Sequence, residues 1–234
     1  MIVHLERSKE RLPQVKHLET ILPTPVSVLN AVDGRDSSVK FSNYAKNSYS
    51  PRYPFELSPA EIATFLSHRE CWNRIIAMKA DYALIVEDDV ELDPNLFDEL
   101  FRRAQKVLKQ GDYLRIPFKS REKSSKVILN EDFKIFEPSV IGLGMQCQLV
   151  TKEAAKRLLK ASESFDRPVD TFIQMRWLHN VRVISCAPTG VSEVSQSLGG
   201  STIQGILSLR QKFNREILRP LYRSKVWLWS KKSR

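Results

Sequence analysis

The chain is poor in cysteine: Cys71, Cys147 and Cys186 are the three among 234 residues, and they are widely spaced. That pattern argues against a disulfide framework and fits a reducing cytosol. His68 and Cys71 have metal-compatible spacing, but no second Cys/His pair accompanies them, so a structural zinc site is not expected. No run of eighteen apolar residues occurs, which argues against a membrane-spanning helix. Residues 1–7 lack the basic region followed by an apolar core that marks a secretory leader. The expectation is a soluble or peripheral cytoplasmic protein, on the cytoplasmic face of the inner membrane if membrane-associated. Heptads and collagen-like repeats are missing too, and the one biased tract, the Ser/Lys-rich residues 119–126, reads as an exposed loop.

What is present is ordinary for a globular protein, with 42% hydrophobic and 27% charged residues. The length suits one α/β domain, alone or with an appendage. Charge is distributed unevenly. Residues 205–234 hold nine cations against the single acid Glu216, a balance of +8, which leaves +2 of the total +10 for the body. A broadly basic nucleic-acid-binding surface does not match that division, and no nucleic-acid partner is expected.

The most informative stretch is Ala83-Leu84-Ile85-Val86-Glu87-Asp88-Asp89, an apolar run ending in three carboxylates. Its first four residues suit a strand buried in a parallel sheet. Carboxylates are rarely buried unpaired, so the acids are expected where the strand leaves the sheet, facing water, a cation or a ligand. Ligands of open α/β sheets bind at the carboxyl ends of strands. Glu87 and Asp89 project to one side if the strand persists, whereas a turn at Asp88 mixes their directions.

In chain order, residues 2–5 read as a strand, Ser8 as the start of a helix with Leu12, Val15, Leu18 and Ile21 on one face, and residues 26–32 as a second strand closed by Asp33-Gly34. This is a βαβ opening. Ser58-Pro59-Ala60-Glu61 is a capping-box start for a helix running to about residue 79. Asp93-Pro94 starts another, ended by Gly111-Asp112. Strands are expected at 113–118, 133–136, 140–150 and 181–185, a loop at 119–130, and helices from Thr151 and from Pro168. Gly142 and Gly144 allow close backbone approach. Residues 188–200 show no apolar periodicity.

The ordered fragments Val3-His4-Leu5-Glu6-Arg7-Ser8 with Arg11, Ala31-Val32-Asp33-Gly34-Arg35, Glu61-Ile62-Ala63 with Leu66-Ser67-His68, Ile85-Val86-Glu87-Asp88-Asp89, Gly142 with Gly144, Pro168-Val169-Asp170 and Ser201-Thr202-Ile203 together resemble glycosyltransferase family 25. The resemblance covers about residues 1–204. It implies an α/β fold, a GT-A-like Rossmann-type mixed sheet flanked by helices, acting on a UDP-sugar. The expected reaction moves a hexose, galactose foremost, to a sugar hydroxyl of lipooligosaccharide or a related lipid-linked oligosaccharide. By the same resemblance, Mn²⁺ or Mg²⁺ is held by Glu87, Asp88 and Asp89 and neutralises the departing nucleoside diphosphate. Leu5, Arg7, Arg11, Asp33, Gly34, Ser67, Asp88, Gln196 and Ser201 fall on the donor, while Asp170 and His68 are the catalytic candidates. Asp170 would take a proton from the acceptor in an inverting transfer; as a helix-start acid it equally suits the helix dipole. Arg115 departs from the family pattern by placing a charge in a strand that is usually apolar.

Residues 205–234 lie outside the resemblance and read as a separate basic amphipathic helical tail. Ile206, Leu209, Phe213, Ile217 and Leu221 recur at helical spacing, cations occupy the other faces, and Pro220 marks an expected break. With Trp227-Leu228-Trp229, this segment is expected to dock on an anionic membrane surface. Packing on the body or a homodimer contact is the alternative. Competing functions are a metal-dependent phosphohydrolase or nuclease, which lacks the further ligands of a two-metal centre, and a nucleic-acid-binding protein.

Overall fold

In the computed structural model, which describes residues 1–119, 121–200 and 209–232, the first strand lies next to one edge of the largest sheet. β1 (Ile2–His4) is wholly buried. It pairs in parallel with β2 (Val28–Asn30) on one side and with β3 (Tyr82–Glu87) on the other. Between β1 and β2 the chain crosses over through a single 3-10 turn, Lys9–Arg11, and α1 (Leu12–Ile21). The βαβ opening is therefore present, but Ser8 does not cap it: its side chain accepts no backbone N–H.

α2 (Pro59–Ala77) starts as its sequence predicts. Ser58 Oγ accepts the Glu61 N–H while the Glu61 carboxylate accepts the Ser58 N–H at 2.7 Å. After β3 come β4 (Val90–Leu92) and α3 (Pro94–Val107), which is capped by the Asp93 side chain. β5 (Asp112–Arg115), β6 (Ser124–Asn130), β7 (Lys134–Pro138) and β8 (Cys147–Thr151) follow. α4 (Lys152–Ala161), α5 (Val169–Ile173), α6 (Arg176–His179), β9 (Arg182–Ala187), β10 (Val191–Glu193) and α7 (Leu209–Lys232) complete the chain.

The main sheet has eight strands in the order β2-β1-β3-β8-β5-β9-β7-β6; β4 and β10 form a separate pair. β8 runs antiparallel between β3 and β5, so the acid-bearing strand lies in a mixed sheet and not in the parallel interior its apolar run suggests. Alternation fixes the two faces. Val3, Ile85, Tyr113, Val150 and Val183 meet α2 and α4 in a core around Phe65, Trp72, Phe165 and Phe172. Ile2, Leu84, Val86, Leu114 and Leu149 face Leu18, Phe97 and Leu100 of α1 and α3. Both cores hold a cysteine, and all three cysteines are unpaired and buried.

Several elements differ from the sequence expectation. Residues 124–130 form an edge strand instead of a loop, since an edge paired on one side tolerates exposed polar residues. Of 140–150 only the end is a strand, because Gly144 takes φ +101° and turns the chain. The helix from Pro168 is two short helices, and 188–200 contains β10 and a 3-10 turn at Ser195–Leu198.

α7 runs through Pro220 without the expected break. Tyr222, Val226 and Ser230, four residues apart, are buried against the body, and this packing holds the helix on past the proline. The Tyr222 hydroxyl accepts a 2.7 Å hydrogen bond from the buried Arg167, and Trp229 packs on Trp177. The tail thus lies on the body. Its predicted apolar positions Ile217 and Leu221 face away and are exposed, while Ile206 lies outside the described residues. No helix among the described residues is long and apolar enough to cross a membrane.

Candidate active site

The strand β3 ends at Glu87, and Asp88 and Asp89 occupy the turn into β4. The turn separates the three acids into three environments. Asp88 is 4% exposed, and both its oxygens are engaged: Oδ1 accepts from Arg11 at 2.6 Å and Oδ2 lies 2.7 Å from His4 Nδ1. It is a buried counter-ion that ties β1, the first crossover and β3 together. Asp89 Oδ2 is 3.4 Å from Arg11, while its Oδ1 is buried and has no partner among the described residues. Burial and the adjacent Glu87 charge push the Asp89 carboxyl up to about 7. Glu87 stays partly accessible, with Oε1 3.3 Å from Nε2 of the fully buried His68.

These acids line a small cavity together with Leu5, Arg7, Arg11, Gly34, Ser67 and His68. Its volume of about 100 Å³ takes a phosphate-sized group but not a whole nucleotide-sugar. Arg7 Nε donates to Asp33 at 2.7 Å, joining the loops that follow β1 and β2. Ser67 Oγ accepts the Val32 N–H and donates to Ala63 O, so the hydroxyl fastens the Asp33-Gly34 loop to α2. Gly34 is required there for a steric reason, because a Cβ would stand 2.6 Å from Pro59 O at the start of α2.

A second, larger cleft of about 900 Å³ adjoins it. Glu87 and Thr64 line both cavities. Asp170 lines the larger one, where Oδ2 accepts the Gly144 N–H at 3.2 Å and Oδ1 the Thr171 N–H at 2.6 Å. Burial raises the Asp170 carboxyl above its ordinary range, against the pull of those hydrogen bonds. The cleft wall is held by Glu122, which pairs with Arg115, accepts from Ser185 Oγ and takes the Gly142 N–H at 2.5 Å. The charge of Arg115 in a strand is thereby explained: it faces the cleft and is neutralised by the following loop.

The structure brings together Leu5, Arg7, Arg11, Gly34, Ser67, His68, Glu87, Asp88 and Asp89 at the small cavity, with Asp33 joined through Arg7. Asp170 stands in the adjoining cleft. Gln196 is exposed on its 3-10 turn and lines neither cavity; Ser201 lies outside the described residues. Among the described residues no group of three or more His, Cys, Asp or Glu is placed to hold a metal by itself. Sequence reasoning passed over Thr64, Tyr53, Phe55 and Glu122, and read Arg219 and Arg223 only as cations of the basic tail. Thr64 carried a signal, one helical turn before His68 on α2, whereas Tyr53, Phe55 and Glu122 come from segments without a periodic pattern.

The model of glycosyltransferase family 25 (LPS biosynthesis protein) matches residues 1–173, the span that builds both cavities except for Gln174 and α7. Curated proteins of similar sequence carry the name glycosyltransferase 25 family member. One from Anopheles gambiae is 28% identical over 74% of this chain and 30% of its own length. Another, from Aedes aegypti, is 27% identical over 74% and 30%. A third, from Drosophila pseudoobscura pseudoobscura, is 24% identical over 89% and 39%. The chain therefore spans about a third of the length of the relatives it matches. An α/β mixed sheet carrying its acids at the end of β3, and a family match across three quarters of the sequence, lead to one assignment: the chain belongs to glycosyltransferase family 25.

Proposed function

We propose that this glycosyltransferase moves a hexose, galactose foremost, from a UDP-sugar to a sugar hydroxyl of lipooligosaccharide or a related lipid-linked oligosaccharide, with inversion and with a divalent cation. The observation that carries this reading is the position of Glu87 in the wall shared by the two cavities. A transfer needs a donor site and an acceptor site that meet at one point, and the reacting carbon belongs beside Glu87. The small cavity has room for one phosphate of the diphosphate, the exposed Arg7–Asp33 pair beside it suits the nucleoside, and the larger cleft has room for an oligosaccharide.

Glu87 and Asp89 suit Mn²⁺ or Mg²⁺. Asp89 presents a buried oxygen without a partner among the described residues, and burial together with the Glu87 charge raises its carboxyl. Magnesium is commonly held by one or two carboxylates together with substrate phosphates, so a full cage of protein ligands is not needed. A bound cation supplies neutralisation of the charge that collects on the leaving diphosphate. Asp88 is engaged by Arg11 and His4, so its part is to position the turn. His68 holds Glu87 in place from behind. Asp170 accepts the proton of the attacking hydroxyl, a role for which its raised basicity suits it.

The outward face of α7 supports docking on an anionic membrane. Ile217, Leu221 and Leu228 are each about half exposed and share the side opposite the buried Tyr222 and Val226. Lys225 and Lys232 are exposed nearby. Such a face would place the enzyme on the cytoplasmic side of the inner membrane, beside a lipid-linked acceptor.

The test is turnover of a panel of UDP-sugars (galactose, glucose, N-acetyl sugars) with Mn²⁺ and a lipooligosaccharide acceptor. Release of UDP that depends on acceptor is expected, with UDP-galactose fastest. No acceptor-dependent release from any member of the panel overturns the reading.

A further inference from the structure

The basic C-terminal helix is part of the larger cleft. Arg219, Tyr222, Arg223, Val226 and Trp227 line it, facing residues from the loop after β5 and from the start of α5. Its placement is enforced. Arg167 is fully buried, pairs with Asp166, donates to the Tyr222 hydroxyl at 2.7 Å and to Pro51 O at 3.1 Å, and lies 5.8 Å from the centre of the Tyr222 ring. Arg215 sits 5.3 Å from the centre of the Phe55 ring, and Tyr53 meets Tyr222 edge-on. The helix is fastened before the two arginines that line the cleft, between them, and again beyond them where Trp229 packs on Trp177.

Charge within the cleft is separated. The acids that line it have protein partners: Glu61 in the cap of α2, Glu122 with Arg115, Glu87 with His68 and Asp170 with two backbone N–H groups. Arg121, Arg219 and Arg223 line the same cleft and form no ion pair among the described residues. Arg219 and Arg223 are also four residues apart on one helix, where like charges destabilise each other. A neutral glycan has no use for three free guanidinium groups beside the aromatic side chains of Tyr53, Phe55 and Trp227. An anionic one does, because the planar guanidinium matches the paired oxygens of a phosphate or carboxylate.

We propose that α7 supplies an acceptor subsite for an anionic group, a phosphomonoester or a carboxylate borne by the acceptor glycan, gripped by Arg219 and Arg223 with Arg121 completing the site. This rests on the larger cleft being the acceptor side of the transfer. It accounts for a charge excess that a membrane-docking role leaves unexplained, since these two arginines, though exposed to solvent, lie on the cleft side of α7.

The test uses the full chain and three forms of one disaccharide: neutral, carrying a phosphomonoester, and carrying a uronic carboxylate. Calorimetric titration of each glycan, without donor, reads the subsite independently of turnover. The anionic forms are expected to bind about tenfold more tightly than the neutral one. Arg219→Gln/Arg223→Gln should erase that preference, and Arg219→Lys/Arg223→Lys should restore part of it. UDP affinity checks that the variants are folded. Preference for the phosphomonoester alone, or for both anions, supports the subsite and identifies its source. Equal binding of all three glycans overturns it, as does a preference that survives in the glutamine variant. Charge-dependent glycan binding without any sugar transfer counts against the proposed reaction and leaves the subsite standing.

Discussion

Arg11 and Asp88 meet at 2.6 Å beneath the small cavity, with 5% and 6% of their side chains exposed. His4 closes on the other carboxylate oxygen, so one acid from the end of β3 neutralises the first crossover and fixes β1. Asp88 is a structural pin in the middle of the acidic stretch, and its neighbour Asp89 is the acid that keeps one oxygen without a partner among the described residues. Substitution should separate these two roles.

Asp88→Ala leaves the Arg11 charge buried without its main partner. A loss of stability of about 3 kcal/mol is expected, read as a lower midpoint in urea at unchanged slope. If the variant unfolds at the wild-type midpoint, the pair is not what holds this turn.

Asp89→Asn is expected to behave in the opposite way. The carboxyl of Asp89 is raised from 3.8 to about 7 in the folded state, so between those values the folded protein keeps a proton that the unfolded chain has lost. Stability therefore falls as pH rises through that window. The fall should be shallower in Asp89→Asn, and shallower in the wild type with Mn²⁺ present, since a cation favours the ionised acid. Urea midpoints measured from pH 4 to pH 8 decide this. A pH profile unchanged by the substitution removes Asp89 as the strained acid.

Asp170→Asn should lower kcat by about 10²- to 10⁴-fold with little change in the affinity for UDP, because Asp170 lines the larger cleft only. In the wild type, the acidic limb of the rate profile should stand above the ordinary carboxylate range, since the base must be ionised and burial raises it. Survival of kcat in Asp170→Asn transfers the proton-accepting role elsewhere.

Leu221→Asp/Leu228→Asp alters the outward face of α7 and leaves Tyr222 and Val226 on the body. Sedimentation with vesicles containing anionic phosphatidylglycerol should drop sharply, at unchanged thermal stability. Equal sedimentation of variant and wild type would falsify docking through this face.

Ser58→Ala removes the reciprocal cap of α2, at an expected cost of about 1 kcal/mol in urea unfolding. The helix carries Ser67 and His68, so UDP affinity should weaken in parallel with stability.

The sequence was legible where local chemistry decides the outcome. The capping box at Ser58, the Asp93-Pro94 start and the apolar run of β3 depend on neighbours within a few residues, and each formed as read. Long-range pairing was not legible. Whether β8 meets β3 parallel or antiparallel is set by the path of the intervening 60 or so residues, and no pattern within Cys147–Thr151 records it. The tail shows the same limit. Its Ile217 and Leu221 stripe reads as a docking face, for a membrane foremost and for the body as the alternative, yet the body takes Tyr222, Val226 and Ser230, because Arg167 offers the tyrosine hydroxyl a buried partner. At the site, the order of fragments singled out residues that the structure brings together around the small cavity. The burial of Asp88 by His4 and Arg11 could be seen only once β1 and β3 were side by side.

The small cavity is lined entirely by residues 3–89, whereas most of the larger cleft comes from residue 115 onward. The two cavities are thus drawn from successive parts of the chain. If the small one holds the donor and the larger one the acceptor, as proposed above, an exchange of the later segments between two such enzymes should change which glycan is accepted and spare the nucleotide site, so acceptor range could diversify by recombination at a single crossover after β3.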